Sequence, residues 1–188
     1  MSIIYQIIGF GFFLALMIWQ GAALLHQTLD KNKKYEAASA FAAEAGKPLL
    51  VIGGPMGITW LRRFSEMMAH GYGDVCMDID LRALRGCPSG VIADVRHIPF
   101  SDKTFGAVFV SHVLEHLPDT GDARKAVAEL NRVADAVFIA YPNKHYIVSW
   151  LIPDHHLWVR QKDGKTYLKQ RKNRQKTSNR QVDQPPSI

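Results

Sequence analysis

An uninterrupted apolar segment at the N-terminus constrains this chain more than any other feature. Residues 3–25 read IIYQIIGFGFFLALMIWQGAALL, and the first 25 residues contain no aspartate, glutamate, lysine or arginine. At about 1.5 Å per residue, a helix of this length spans roughly 34 Å, which exceeds the roughly 30 Å hydrocarbon thickness of a bilayer. The segment therefore predicts a single membrane-spanning helix, and we assign residues 1–30 to a transmembrane anchor.

Two other interpretations of the apolar segment fit less well. A cleaved signal peptide begins with basic residues and has a shorter apolar stretch, and a buried core helix is rarely apolar on every face for about six turns. Lys31, Lys33 and Lys34 follow the segment, and no lysine or arginine precedes it. By the positive-inside rule, we expect the C-terminal domain on the cytoplasmic side of the membrane.

The rest of the chain divides by its apolar pattern. Residues 31–46 are rich in alanine and end at Gly46, which predicts a helical linker. Residues 47–170 alternate short apolar runs with stretches of helical spacing, a pattern typical of a mostly parallel sheet with helices on both faces. The predicted fold class is α/β and Rossmann-like. We expect strands at residues 49–52, 75–77, 91–93, 107–111 and 136–140, and helices at residues 58–70 and 122–133.

A C-terminal antiparallel hairpin is predicted at the end of this domain. An Asp-Gly pair at residues 163–164 lies between two segments of alternating polarity, which is a strong hairpin signal. A two-residue turn at this pair would place Val159 opposite Leu168 and Arg160 opposite Tyr167.

Residues 171–188 lack apolar periodicity and predict a basic disordered tail. Residues 160–180 contain nine lysines and arginines against one acid, which more than accounts for the net charge of +6. A uniformly basic nucleic-acid-binding domain is therefore a poor interpretation, and the tail has no aromatic residue after Tyr167 on which bases could stack. A solvated terminus and a contact with anionic lipid head groups stay open as interpretations.

Glycines and carboxylates follow the ends of three predicted strands. Residues 53–57 read Gly-Gly-Pro-Met-Gly, and such glycines let the backbone approach a ligand ahead of a helix N-terminus. Asp78 ends the next strand, where a carboxylate can accept hydrogen bonds from both hydroxyls of a ribose. Asp94 ends the strand after that. Singly, each aspartate could be a solvated strand-end residue, but together they predict a nucleoside-shaped pocket at one edge of the sheet.

Residues 93–117 carry the most specific pattern in the chain, ADVRHIPFSDKTFGAVFVSHVLEHL. This stretch resembles class I S-adenosylmethionine-dependent methyltransferases of the small-molecule "type 11" kind, which read roughly D-A…LPF.D.SFD.V….LEH. Residues 128–133 are similar to the EL.RV helix of the same family, and the resemblance extends over residues 47–143. It implies methyl transfer from S-adenosylmethionine, and the membrane anchor favours a small or lipid-like acceptor near the bilayer.

The resemblance also implies roles for individual residues. The glycines would line the methionine part of the cofactor, Asp78 would hold the ribose hydroxyls, and Asp94 would accept from the adenine amino group with Val95 against the ring. His112, with the preceding serine, would lie near the sulfonium. His112 and His116 are the candidate catalytic residues, as general bases for an acceptor that must lose a proton. The implied cofactor-binding residues are Gly53, Gly54, Gly57, Asp78, Ile79, Asp94, Val95 and Ser111.

The short chain and departures from the family pattern support a second hypothesis. Val51 stands where the family usually has an acidic residue, and Pro55 stands where it has its middle glycine. The alternative is a catalytically inactive methyltransferase fold that serves as a membrane-bound interaction module.

No metal site is predicted. Residues 112–116 spell H-x-x-E-H, which can mark a zinc-protease helix. That chemistry needs a long helix with both histidines on one face, whereas Pro118 leaves barely two turns after the preceding strand. Residues 154–156, Asp-His-His, are interpreted as part of a surface or a substrate mouth.

Overall fold

The computed structural model describes residues 2–54, 71–162 and 165–171. The predicted helix at 58–70, the turn residues 163–164, Gly57 and nearly all of the predicted basic tail lie outside the described residues. The elements in chain order are α1 (Ser2–Glu44), β1 (Leu49–Ile52), β2 (Val75–Asp78), a 3-10 turn (Leu81–Leu84), β3 (Gly90–Ile92), β4 (Phe105–Ser111), a second 3-10 turn (Leu114–His116), α2 (Thr120–Val133), β5 (Ala134–Ala140), α3 (Val148–Leu151), β6 (Leu157–Lys162) and β7 (Lys165–Gln170).

Five parallel strands form the main sheet in the order β3-β2-β1-β4-β5. This confirms the predicted α/β, Rossmann-like fold class. The five predicted strands are all present, although β4 and β5 each begin two residues earlier than expected. At the start of β4, Gly106 lies where an added side-chain carbon would be 2.9 Å from the Cα atom of Ala42, so a glycine lets the strand pass close to α1.

The two faces of the sheet are covered by different helices. Leu50 and Ile52 of β1 belong to the main core, together with the buried face of α2, and Leu49 and Val51 belong to a second core against α1. This alternation follows from the two-residue period of a strand, which turns neighbouring side chains to opposite faces. The buried residues of α2 are Ala123, Ala126, Leu130 and Val133.

The predicted anchor and the predicted linker form one continuous helix, α1. In its first part the apolar side chains are exposed, with Phe10 at 69% and Ile18 at 65%. In its last part small residues lie on the sheet, and Ala38 and Ala42 are buried. By length and composition alone, α1 is long and apolar enough to cross a membrane.

Polar contacts also join the middle of α1 to the segment after β5. The side chain of Gln20 accepts a hydrogen bond from the Ile147 amide at 2.7 Å, and that of Gln27 accepts one from the Asn143 amide at 2.8 Å. The boundary between exposed helix and domain therefore lies near Gln20, about ten residues before the predicted end of the anchor.

The two cysteines, Cys76 on β2 and Cys87, are joined by a disulfide bond. It ties the buried centre of β2 to the segment that follows the first 3-10 turn, and so fixes the chain between Asp78 and β3.

The antiparallel hairpin of β6 and β7 confirms the predicted register, with Val159 opposite Leu168 and Arg160 opposite Tyr167. Leu157 and Val159 belong to the main core, so the hairpin is docked on the domain. Just before β6, the His156 amide donates to the Glu115 carbonyl at 2.7 Å. The loop ahead of the hairpin is thereby held against the second 3-10 turn.

Candidate functional site

At the carboxyl edge of the sheet, the strands end beside one another and bring predicted site residues together. Ile52 pairs with Met77 of β2 and with Val110 of β4, so the residues that follow, Gly53, Asp78 and Ser111, lie side by side. The amide of Ala93 donates to the Asp78 carbonyl at 3.1 Å, which places the end of β3 beside that of β2. This is the edge at which ligands bind in open parallel sheets.

Gly53 and Gly54 are required by close approaches of the backbone. Their φ angles are +108° and +67°, in a region that favours glycine. A side-chain carbon at Gly53 would overlap the Ser111 carbonyl oxygen, and one at Gly54 would lie 2.6 Å from the Cβ of Ala83 in the first 3-10 turn. The fold alone explains both glycines, and their contact with a cofactor stays a prediction.

Asp78 is the strand-end carboxylate with acceptor capacity to spare. Its Oδ1 accepts from the Asp80 amide at 2.9 Å, and no lysine or arginine of the described residues is paired with it. Burial raises the pKa of Asp78; backbone hydrogen bonds from Asp80 and Ile79 oppose the rise, and the charge of Asp80 adds to it. A half-buried carboxylate of this kind can accept hydroxyl donors from a ligand. The neighbouring Ile79 is exposed and offers apolar surface.

Asp94, by contrast, is already bonded to a guanidinium. Arg96 donates through Nε to both carboxylate oxygens at 3.0 Å and through a terminal nitrogen to Asp122 at 2.6 Å. The hydrogen bond from Arg96 lowers the pKa of Asp94. Val95 lies in the main core rather than at the surface of the edge. The predicted adenine end is therefore built around an arginine that the sequence analysis did not single out.

The residues after β4 form a compact polar turn. Ser111 is buried, and His112 has a φ of +55°, which is uncommon for a residue with a side chain. The Nδ1 atom of His112 lies 3.0 Å from Oε1 of Glu115, a fully buried carboxylate. His116 is exposed. The H-x-x-E-H residues thus occupy a strand end and a 3-10 turn rather than a protease-like helix.

The charges of this turn are coupled. Burial acts to raise the pKa of Glu115, but the hydrogen bond from His112 and the positive charges of His112 and His116 outweigh it, and the pKa lies below its ordinary value. Glu115 is therefore ionised at neutral pH.

His155, from the Asp-His-His sequence that we interpreted as part of a surface or a substrate mouth, lies beside His116. It is buried, and its ring lies 4.8 Å from that of His116. Burial lowers the pKa of His155, against the opposing charge of Glu115, so the neutral imidazole is favoured. The structure thus places His155 inside the domain and not at its surface, because the hairpin docks it beside residue 116, which nothing local in the sequence indicated.

Comparison with known proteins supports the family that the sequence pattern suggests. Residues 62–136 match the model of a family described as "Methyltransferase domain". No curated protein sequence matches the chain. Among solved structures, the crystal structure of the PH0226 protein from Pyrococcus horikoshii OT3 is similar, with 13% identity, 72% of each chain covered and a TM-score of 0.42. The matched residues contain Asp78, Asp94 and the turn after β4, and they include β2, β3 and β4 of the parallel sheet. Residues 62–136 are therefore similar to a methyltransferase domain, and the parallel sheet to which they contribute is Rossmann-like.

Proposed function

We propose that the protein is a membrane-anchored, S-adenosylmethionine-dependent methyltransferase that acts on a small or lipid-like acceptor. The match of residues 62–136 to the methyltransferase family is the observation that carries this proposal. When bound, S-adenosylmethionine would supply a methyl group already activated by its sulfonium. The work left to the chain is then chiefly to bind and align the two reactants.

The residues at the carboxyl edge fit the ribose end of this cofactor best. Asp78 has acceptor capacity that the described residues leave unused, as ribose hydroxyls require. Asp94 keeps less, because Arg96 already donates to both of its oxygens. Asp78 would therefore contribute most to affinity, and Asp94 would act mainly by positioning the backbone after β3.

His112 is the candidate general base at the acceptor end. Its contact with the buried carboxylate of Glu115 holds the Nδ1 proton and orients the ring. The proton of an acceptor hydroxyl, thiol or amine would then be taken by Nε2. His116, which is more exposed, is the second candidate for this step.

The proposed anchor is the exposed first part of α1. Because the same helix continues onto the sheet, it would hold the domain close to the bilayer and raise its local concentration toward a membrane-embedded acceptor. The basic tail would add electrostatic attraction to anionic lipids, worth about 1 kcal/mol for each cation near the surface.

Two features favour opposite sides of the membrane for the domain. Lys31, Lys33 and Lys34 favour the cytoplasmic side, whereas a disulfide such as Cys76–Cys87 persists in oxidising compartments outside the cytoplasm. Protease protection of the domain in sealed vesicles decides between the two sides.

Cofactor binding is tested by calorimetric titration of the full chain, in detergent, with S-adenosylmethionine. We expect wild-type protein to bind and Asp78→Ala to lose at least about tenfold in affinity, because hydrogen bonds to a charged group contribute about 1.5–3 kcal/mol each. Asp80→Asn is the matched control: it alters a carboxylate of the same loop that is already paired with Arg82. Equal affinity for Asp78→Ala and wild-type protein would remove Asp78 from the site.

Anchoring is tested separately by vesicle flotation of an Ile8→Arg, Phe12→Arg variant. Both side chains are exposed on the first part of α1, so the variant should lose membrane association and keep its affinity for S-adenosylmethionine. Phe41→Arg, at an exposed position where α1 lies on the domain, is the control and should still float with the vesicles. Flotation of all three proteins alike would contradict the anchor.

An inactive, membrane-bound interaction module is the second candidate function, and two observations favour it. Arg96 occupies the carboxylate of Asp94. Val51, at the position where the family usually has an acid, is fully buried against the α1 face of the sheet. The calorimetric titration also separates the candidates, since a folded wild-type protein that gives no heat with S-adenosylmethionine supports the module.

A further inference from the structure

Three side chains with metal-ligand chemistry converge beside the second 3-10 turn. Glu115 and His116 come from that turn, and His155 comes from the loop before β6. One ligand atom from each side chain lies within 4.8 Å of the other two. Because His155 is about 40 positions from the other two residues in the chain, their proximity is a product of the docked hairpin and not of a local sequence motif.

The carboxylate of this cluster is incompletely satisfied. Its Oε1 contacts His112 at 3.0 Å, but Oε2 is buried and has no hydrogen-bond partner among residues 2–54, 71–162 and 165–171. Leaving a buried acceptor unpaired costs about 1–3 kcal/mol, and more for a charged group. Buried polar atoms are nearly always paired, so a charged oxygen left over beside two imidazoles indicates that a cation completes its coordination.

Both histidines contact backbone carbonyls through their Nδ1 atoms. The Nδ1 atom of His116 lies 3.1 Å from the Asp154 carbonyl, and that of His155 lies 3.2 Å from the Ser149 carbonyl. A carbonyl oxygen can only accept, so each Nδ1 carries a proton, and Nε2 is the nitrogen through which each imidazole would bind a metal. Backbone carbonyls that fix the tautomer in this way are the usual outer partners of metal-bound histidines.

We propose that Glu115, His116 and His155 form a binding site for one zinc ion. Two imidazole nitrogens and one carboxylate oxygen suit Zn²⁺, whereas Mg²⁺ and Ca²⁺ take oxygen ligands. Three protein ligands leave a fourth position open, as in catalytic rather than structural zinc sites. His116 is exposed, so the cluster can be reached from the solvent and offers the ion a path of entry.

Closing the site requires only a small movement. Ligand atoms on a tetrahedral zinc ion, at about 2.0–2.1 Å from the metal, lie roughly 3.4 Å apart, compared with the 4.8 Å limit observed here. Glu115 and His155 are buried, and His116 is the exposed member. Rotation of His116 toward the other two is therefore the expected change on binding.

Zinc binding is tested on the full chain, purified in detergent with a tag that contains no histidine and stripped of metal with a chelator. We expect one zinc per chain by metal analysis after dialysis, and at least about a 100-fold weaker affinity in competition titrations for Glu115→Gln, His116→Ala and His155→Ala. His156→Ala is the matched control, because it removes the neighbouring imidazole outside the cluster and should bind zinc as the wild type does.

Cobalt substitution provides a second readout that does not depend on the buried variants folding. Co²⁺ in a four-coordinate site of nitrogen and oxygen ligands gives intense visible absorption bands, which we expect in the wild type and expect to be lost in His116→Ala, where the altered side chain is exposed. Folding of each variant is checked by circular dichroism. The proposal is overturned if folded wild-type protein binds no zinc, or if zinc binding survives in the Glu115 and His116 variants. It is also overturned if His156→Ala loses as much binding as His155→Ala.

Discussion

The turns after β1 and β4 lie on neighbouring strands, and both contain a residue with positive φ, but different residues fill them. Gly53 has a φ of +108° and sits against the Ser111 carbonyl, where a side chain has no room. His112 adopts +55° although it carries a side chain, and that side chain contacts a buried carboxylate. The first conformation serves the packing of the backbone, and the second places an imidazole beside Glu115. Strain retained at a side chain is typical of functional sites.

The largest effect expected from this comparison is at Gly53. Gly53→Ala should lower the free energy of unfolding by about 3 kcal/mol, because the left-handed conformation costs about 1–2 kcal/mol and the clash with Ser111 adds to it. Urea unfolding of the full chain in detergent, followed by circular dichroism, measures the change.

Gly46→Ala separates the two contributions to this loss. Gly46 has a φ of +61° but nothing within 4 Å of an added side-chain carbon, so only the conformational cost of about 1 kcal/mol remains. Equal losses at Gly46 and Gly53 would show that the close approach to Ser111 is unimportant for stability.

Whether a feature could be predicted from the sequence depends on whether its cause is local or distant in the chain. The strand Leu49–Ile52 and the register of Val159 with Leu168 were predicted, because short apolar runs and an Asp-Gly turn act locally. The contact of His155 with residue 116 was not, since it depends on where the hairpin docks. The ion pair of Arg96 with Asp94 was missed although it is local, because a pattern of residue types does not reveal which carboxylates are already paired.

A smaller effect is expected at His112, and it tests whether its backbone is strained. His112→Ala and His112→Gly both remove the contact with Glu115, but only glycine adopts a φ of +55° without cost. We expect the glycine variant to be more stable than the alanine variant by about 1 kcal/mol in urea unfolding. Alanine and glycine variants of equal stability would mean that the turn after β4 relaxes when the imidazole is lost, and the contrast with Gly53 would then disappear.

The smallest effect expected is a change in the acid dependence of stability, and it separates the two turns by their chemistry. The pKa of Glu115 is held below its ordinary value, despite burial, by His112 and His116. The stability that this shift contributes is present above the unfolded pKa of about 4.5 and is lost as the pH falls through the lower folded value. In His112→Ala, less positive charge opposes the effect of burial, so the folded pKa of Glu115 rises. The acid limb of a stability–pH profile should therefore flatten.

Gly53→Ala changes no charge, so its profile should lie below that of the wild type by the same amount at every pH. Parallel profiles for both variants would show that Glu115 does not depend on His112 for its charge, and the functional interpretation of the strained histidine would lose its support.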